Sequence, residues 1–186
     1  MAFNEQKDNL LIKIFADTEY QSSLIFCSRK ETVKKLEKEL HRRKINAVAF
    51  HSDLQQEERE TIMQDFKNRK IPVLVGTDVL SRGIDVEGID LVLNYDVPPD
   101  PEDYIHRIGR TARAQRTGTA ITFISPADVR RFTAIESMMG RTVDKLPLPE
   151  GFGPAPEFVA VASDKRRFGP KRKWNSGGQN RQKPRN

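Results

Sequence analysis

The stretch SLIFCSRKETVKKLEKELHRRKINAVAFHS, residues 23–52, decides the fold. It opens and closes on short runs rich in β-branched or aromatic residues, SLIFCS (23–28) and AVAFHS (47–52). Between them Val33, Leu36 and Leu40 recur at helical spacing. The runs are continuously apolar rather than alternating, which suits strands covered on both faces. Strand, helix and strand in succession form the repeating unit of a parallel sheet.

The same rhythm continues down the chain. PVLVG (72–76), DLVLNYD (90–96) and GTAITFIS (118–125) are three further strand candidates. Ile62, Met63 and Phe66, then Ile105, Ile108 and Ala112, mark helices between them. An initial helix is expected over roughly 5–17, with Leu10, Leu11, Ile14 and Phe15 on one side, and a last one over roughly 126–139, carrying Val129, Phe132, Ile135 and Met139. Ser28 with Glu31, and Asp53 with Gln56, have capping-box spacing, and Asp100–Pro101–Glu102 is a helix start. The expected fold is α/β, a parallel sheet flanked by helices.

At 186 residues the chain is long enough for one domain with a sizeable core. Charged residues reach 31% against 37% apolar ones, a polar excess that places part of the chain outside any core. No stretch approaches the ~18 apolar residues of a membrane span, and MAFNEQKDNL carries no signal-peptide pattern. A single cysteine, Cys27, excludes an internal disulfide framework and a structural zinc site is not expected. The chain reads as cytoplasmic.

Three segments follow. Residues 1–145 carry the folded domain. Residues 146–163 hold Pro147, Pro149, Gly151, Gly153, Pro154 and Pro156, and form a linker or a segment draped over the surface, in which EFVAVA (157–162) can dock as a strand. Residues 164–186 carry nine Lys/Arg against Asp164 alone, with no Ile, Leu, Val or Met, and are expected to be disordered. That tail is net +8, which leaves residues 1–163 at −2, so net charge alone says nothing about nucleic-acid binding by the folded part.

In an open parallel sheet, ligands bind outside the carboxyl ends of the strands. The first segment of interest is YIHRIGRTARA (104–114). If it is helical from Pro101, His106, Arg110 and Arg113 share one face, and Gly109 implies close approach of another backbone or a ligand. Such arginines suit phosphate recognition, the alternative being a solvated basic face. In VLVGTDVLSRGIDV (73–86), Thr77 and Asp85 offer a hydroxyl and a carboxylate, unless Asp78 merely caps a short helix that Gly83 ends. In HSDLQQEER (51–59), Arg59 follows the apolar stripe and suits either a phosphate or an intramolecular acid. Cys27 reads as a buried small side chain, and His41 and His51 as structural or solvated. No G-x-x-x-x-G-K-[ST] loop exists, nor a strand ending in adjacent acids to hold Mg²⁺, so the chain is not a self-sufficient NTPase.

These segments, in this order, closely resemble the second RecA-like domain of DEAD-box RNA helicases over about residues 5–140. LIFCSRK (24–30) is similar to motif IV of that family, QEER (56–59) to motif IVa, TDVLSRGID (77–85) to motif V and HRIGRTAR (106–113) to motif VI. The resemblance implies a RecA-like fold that closes with a first domain on ATP and RNA. It implies that Arg110 and Arg113 are arginine fingers at the γ-phosphate, that Gly83 and Asp85 lie in the ATP site with Asp85 on the ribose, and that His106 links to the first domain. Ser28, Arg29, Arg59 and Thr77 would contact RNA phosphates, and Mg²⁺ would be held by the first domain. Ser52, Ala112 and Gln115 stand where the family more often has glycine. The chain is then half of a longer helicase, inactive alone as an ATPase. In the tail, Phe168 and Trp174 interleave with the basic residues and suit RNA tethering, against the plainer reading of a solvated tail. The other functional class is an RNA-binding module that works without nucleotide; it would have no need of Arg110 and Arg113 on one ordered face.

Overall fold

The computed structural model describes residues 1–83, 86, 88–111 and 118–159. Each apolar run forms a strand: β1 (Ser23–Phe26), β2 (Ala47–Phe50), β3 (Val73–Gly76), β4 (Leu91–Asn94) and β5 (Thr119–Thr122). They pair in parallel in the order β2-β3-β1-β4-β5. Phe50, Gly76, Phe26, Asn94 and Thr122 stand in one row, so the strands end level along a single carboxyl edge.

The connections are α1 (Lys7–Asp17), α2 (Lys30–Arg42), α3 (Gln56–Lys67), α4 (Asp78–Gly83), α5 (Pro101–Ile108) and α6 (Val129–Met139), with 3₁₀ turns at Asn4–Gln6 and Pro126–Asp128. Successive strand residues feed two cores. Leu24, Phe26, Leu74 and Val92 pack with Phe66 of α3 and Leu80 of α4. Ile25, Cys27, Val75 and Leu93 pack on the other face with Leu11 of α1 and Val33, Leu36 and Leu40 of α2. Each such aliphatic side chain contributes about 1.5–3 kcal/mol when fully buried. Tyr104 of α5 and Phe132 of α6 anchor a third cluster, their rings edge-on with centroids 5.9 Å apart. Gly76 ends β3 because a Cβ there would stand 2.9 Å from both the Phe50 carbonyl oxygen and Leu80 Cβ.

Several local expectations are corrected. The N-cap of α2 is Arg29, not Ser28, and that of α3 is Gln55, not Asp53. The Asp53 carboxylate is captured by Lys30 and Lys34, and Glu58 accepts from the Gln55 N–H at 2.7 Å in its stead. Asp100 does cap α5, its Oδ1 accepting from the Glu102 N–H at 2.9 Å. The inward face of α5 is Tyr104 and Arg107, while Ile105 is 38% exposed. The helix stops at Ile108, so His106 and Arg110 do not share one continuous helical face. Gly109 is its C-cap, and among the described residues the nearest neighbour of a Cβ there is the Ile105 carbonyl of its own helix at 3.0 Å rather than foreign backbone.

Residues 141–159 form neither helix nor strand, so Glu157–Val159 is not the start of a docked strand; the rest of that run lies outside the described residues. The segment nonetheless packs on the domain. Gln6 Nε2 donates to the carbonyls of Phe152 (2.7 Å) and Pro154 (3.2 Å), and the Phe158 ring stands edge-on to Phe132. Among the described residues no helix is long and apolar enough to cross a membrane.

Candidate functional site

Helices α2 and α3 each begin just beyond the carboxyl end of a strand, so both N-termini face that edge, where unpaired N–H groups favour anions. Ser28 and Arg29 follow β1 and are exposed. The Ser28 N–H donates to Asp96 Oδ2 at 2.8 Å, and Lys7, itself buried, reaches Asp96 Oδ1 at 3.3 Å. Lys34 and Lys30 donate to Asp53, in that order of effect, and hold its carboxyl below the usual carboxylate range. Thr77, half-buried after β3, accepts the Leu80 N–H through its carbonyl.

Arg59 lies at the first turns of α3. Its Nη2 donates to the Ser52 carbonyl at 2.9 Å, a backbone partner in place of the anticipated acid. Its Nε is buried without a hydrogen-bond acceptor among the described residues. The guanidinium lines an open cleft of about 380 Å³ with Phe50, Gln56, Met63 and Val79.

The centre of the site is a residue to which the sequence assigned no role. Arg107 is 1% exposed, and its guanidinium lies 4.8 Å from the Phe26 ring centroid. Nη1 donates to Asn94 Oδ1 at 2.9 Å and Nη2 donates to Asp78 Oδ1. Asn94 in turn donates to Thr122 Oγ1 at 3.2 Å. One side chain thus ties the ends of β4 and β5 to the first residue of α4. The signal lay in the Tyr104 to Arg107 spacing, which puts an arginine on the inward stripe of α5; its partners are too distant in sequence to be read.

Arg110 sits elsewhere. Its carbonyl accepts the Ile89 N–H at 3.2 Å, and Thr111 bridges to Ile89 just before β4 begins. At about 3.3 Å per residue along β4, this is roughly 15 Å from the carboxyl edge. Arg110 is half-buried there and His106 is exposed one turn earlier. Gly83 is the last residue of α4. Asp85 and Arg113 lie outside the described residues. The described candidates therefore fall into two groups, Ser28, Arg29, Arg59 and Thr77 along the carboxyl edge, and His106 and Arg110 on the flank beside β4.

Beneath the edge, burial first and the Asp96 charge second push the Cys27 thiol up. Burial and its hydrogen bond to Asp8 (2.6 Å) likewise raise the Tyr95 phenol. Among the described residues no group of three or more His, Cys, Asp or Glu gathers to hold a metal ion.

The sequence matches the family described as the helicase conserved C-terminal domain over residues 6–115. It is 38% identical over 151 residues to the ATP-dependent RNA helicase DBP8 of Yarrowia lipolytica, covering 81% of this chain and 34% of that one. The fold is similar to a DEAD box protein from the hyperthermophile Methanococcus jannaschii, with a TM-score of 0.73 and 38% identity over 78% of this chain and 40% of that one. It is also similar to Dbp5 of S. cerevisiae bound to RNA and ADP BeF3, with a TM-score of 0.71 and 34% identity over 76% and 38% of the two chains. The chain belongs to the DEAD-box helicases, as their C-terminal RecA-like domain. It spans about a third of the length of the curated relatives it matches.

Proposed function

We propose that this chain is the second half of an ATP-dependent RNA helicase, completing an ATP site and an RNA track that a first RecA-like domain begins. The observation that carries the reading is the Arg107–Asp78 ion pair, which joins the segment holding Thr77, Gly83 and Asp85 to the one holding His106, Arg110 and Arg113. Along the carboxyl edge, Ser28, Arg29, Arg59 and Thr77 bind RNA phosphates. The unpartnered Arg59 Nε supports this, as a buried donor in want of an acceptor. Phosphate contacts position a strand without reading its bases, so little sequence preference is expected.

Arg110, on the flank, and Arg113 balance the charge that develops on the γ-phosphoryl group of ATP. In related NTPases one such finger is worth on the order of 10³–10⁵ in rate. Gly83 and Asp85 belong to the ATP site, with the Asp85 carboxylate accepting from ribose hydroxyls, and His106 contacts the first domain. Mg²⁺ neutralises phosphate charge in such reactions, and its ligands come from that first domain. Residues 1–145 are the RecA-like unit, 146–163 the linker or surface-draped segment, and the basic tail 164–186 adds non-specific RNA affinity. The product is local duplex unwinding or RNA–protein remodelling by the joined protein.

The test is reconstitution. Alone, the purified chain hydrolyses no ATP; mixed with the first RecA-like domain of the same helicase, or covalently linked to it, it shows RNA-stimulated hydrolysis. Turnover by the isolated chain, or none in the linked protein, contradicts the reading.

A further inference from the structure

Helices α2 and α3 both end at the amino edge of the sheet, opposite the proposed RNA track, and both end in the same unusual way. Ile45 N–H donates to the Leu40 carbonyl (3.0 Å) and Lys44 N–H to that of His41 (2.9 Å). Lys70 N–H donates to the Asp65 carbonyl (2.9 Å) and Arg69 N–H to that of Phe66 (3.0 Å). These are paired Schellman caps, in which the residue after the cap takes the left-handed conformation and is ordinarily glycine. Here it is Lys44 (φ 62°) and Arg69 (φ 61°). α6 ends with glycine in that conformation, Gly140 at φ 65°. A glycine would spare both positions their backbone strain.

The two caps are neighbours. Ala47 is in register with Val73, and Asn46 Nδ2 donates to the Lys70 carbonyl at 3.4 Å. Between the loops lies a shallow cleft lined by Glu19, Tyr20, Gln21, Asn46, Arg69, Lys70 and Pro72. Residues 39–46 and 65–72 hold six Lys/Arg against Glu39 and Asp65. Glu39 is shared by Arg42 and Arg43, and Asp65 is taken by Lys70. Lys44 and Arg69 have no ion pair among the described residues, though Arg69 Nη2 donates to the Gly88 carbonyl at 3.4 Å.

We propose that this amino edge is a second nucleic-acid surface, in which Lys44, Arg69 and Lys70 bind RNA phosphates and Tyr20, Gln21 and Asn46 face a base. Two left-handed positions are basic at a cost in backbone strain, which marks the charge rather than the turn as what is used. Nucleic acid is favoured over an acidic protein because, beside its cations, the cleft offers amides, one ring and the Glu19 carboxylate, groups that suit a base edge and not a second carboxylate. The large apolar side chains exposed among the described residues, Ile105, Met138, Leu146 and Val159, are not part of it. The choice of RNA rests on the proposed helicase function; the site itself lies outside that function's ATP and RNA contacts.

The test is an amide-shift titration of the ¹⁵N-labelled full chain with a short oligouridylate. The expected result is perturbation at Tyr20, Asn46, Lys44 and Arg69 as well as at Ser28 and Arg29. In the double variant Lys44→Gly/Arg69→Gly the amino-edge shifts vanish and the carboxyl-edge shifts remain. The slope of log K against log salt becomes shallower by about 0.7 for each phosphate that the variant no longer neutralises. A melting temperature at or above wild type shows that the variant is folded. Shifts confined to the carboxyl edge, or an unchanged salt slope in the variant, overturn this surface alone. Shifts at neither edge overturn the RNA track as well. Amino-edge shifts given by polyglutamate but not by the oligouridylate overturn the RNA assignment in favour of an acidic protein.

Discussion

The Arg107 guanidinium, 1% exposed, donates to the Asp78 carboxylate from twenty-nine residues further along the chain. The pair locks the start of α4 to α5. Removing a partner from a buried pair costs about 3–5 kcal/mol, and because Asp78 is 36% exposed the lower end applies. Arg107→Ala should lower stability by about 3 kcal/mol by urea denaturation. Arg107→Lys should rescue little, since one ammonium cannot span both Asn94 and Asp78 as the planar fork does. A change below about 0.5 kcal/mol in Arg107→Ala, the range of neutral surface substitutions, would show that the pair is not structural.

Gly140 terminates α6 at φ 65° with no atom within 4 Å of where a Cβ would stand. Only the backbone resists a side chain there. Gly140→Ala should cost about 1 kcal/mol, measured as a lower melting temperature. An unchanged melting temperature would mean that the end of α6 re-forms without the left-handed turn.

Cys27 is fully buried and its thiol is pushed up. A thiol-reactive dye at pH 8 should label it only after unfolding in denaturant. Stoichiometric labelling of the native protein within minutes would contradict its burial between β1 and α2.

The raised Cys27 and Tyr95 groups also contribute to the alkaline limb of stability. Both keep their protons in the fold at pH values where the unfolded chain loses them, Cys27 from about pH 8.5 and Tyr95 from about pH 10. The unfolded state then binds fewer protons, so stability falls as pH rises, by at most ~1.4 kcal/mol per pH unit for each group. Cys27→Ala should flatten the slope from about pH 8.5 upward, and Tyr95→Phe from about pH 10 upward. Identical slopes in wild type and both variants would rule out these groups as the cause.

The inner strands were legible because both faces of β1, β3 and β4 are covered, so SLIFCS and PVLVG carry continuous apolar runs with no competing period, whereas β5 at the sheet edge is exposed at Thr119 and Ala120. The start of α5 was equally plain, since Asp100, Pro101 and Glu102 act within one turn. What could not be read were choices settled by residues distant in sequence. Asp53 has the spacing of a cap but is taken by Lys30 and Lys34 across a loop, leaving Gln55 to start α3. Of Ile105, Ile108 and Ala112, the residues marking this helix, Ile108 packs on the third cluster and Ile105 is exposed; Arg107 joins the inward face because Asn94 and Asp78 surround it. The candidate residues were found through motifs. Their division between the carboxyl edge and the flank beside β4 came only from the topology, with Arg110 held at Ile89.

The helicase reading stands or falls on whether this domain supplies a group that ATP hydrolysis requires. The decisive experiment is RNA-stimulated ATP turnover by the chain covalently linked to its first RecA-like domain, as wild type and as Arg110→Ala. The expected result is a loss on the order of 10³-fold or more in kcat with RNA binding retained. Turnover within tenfold of wild type in Arg110→Ala would contradict the finger assignment and leave this domain as an RNA-binding module.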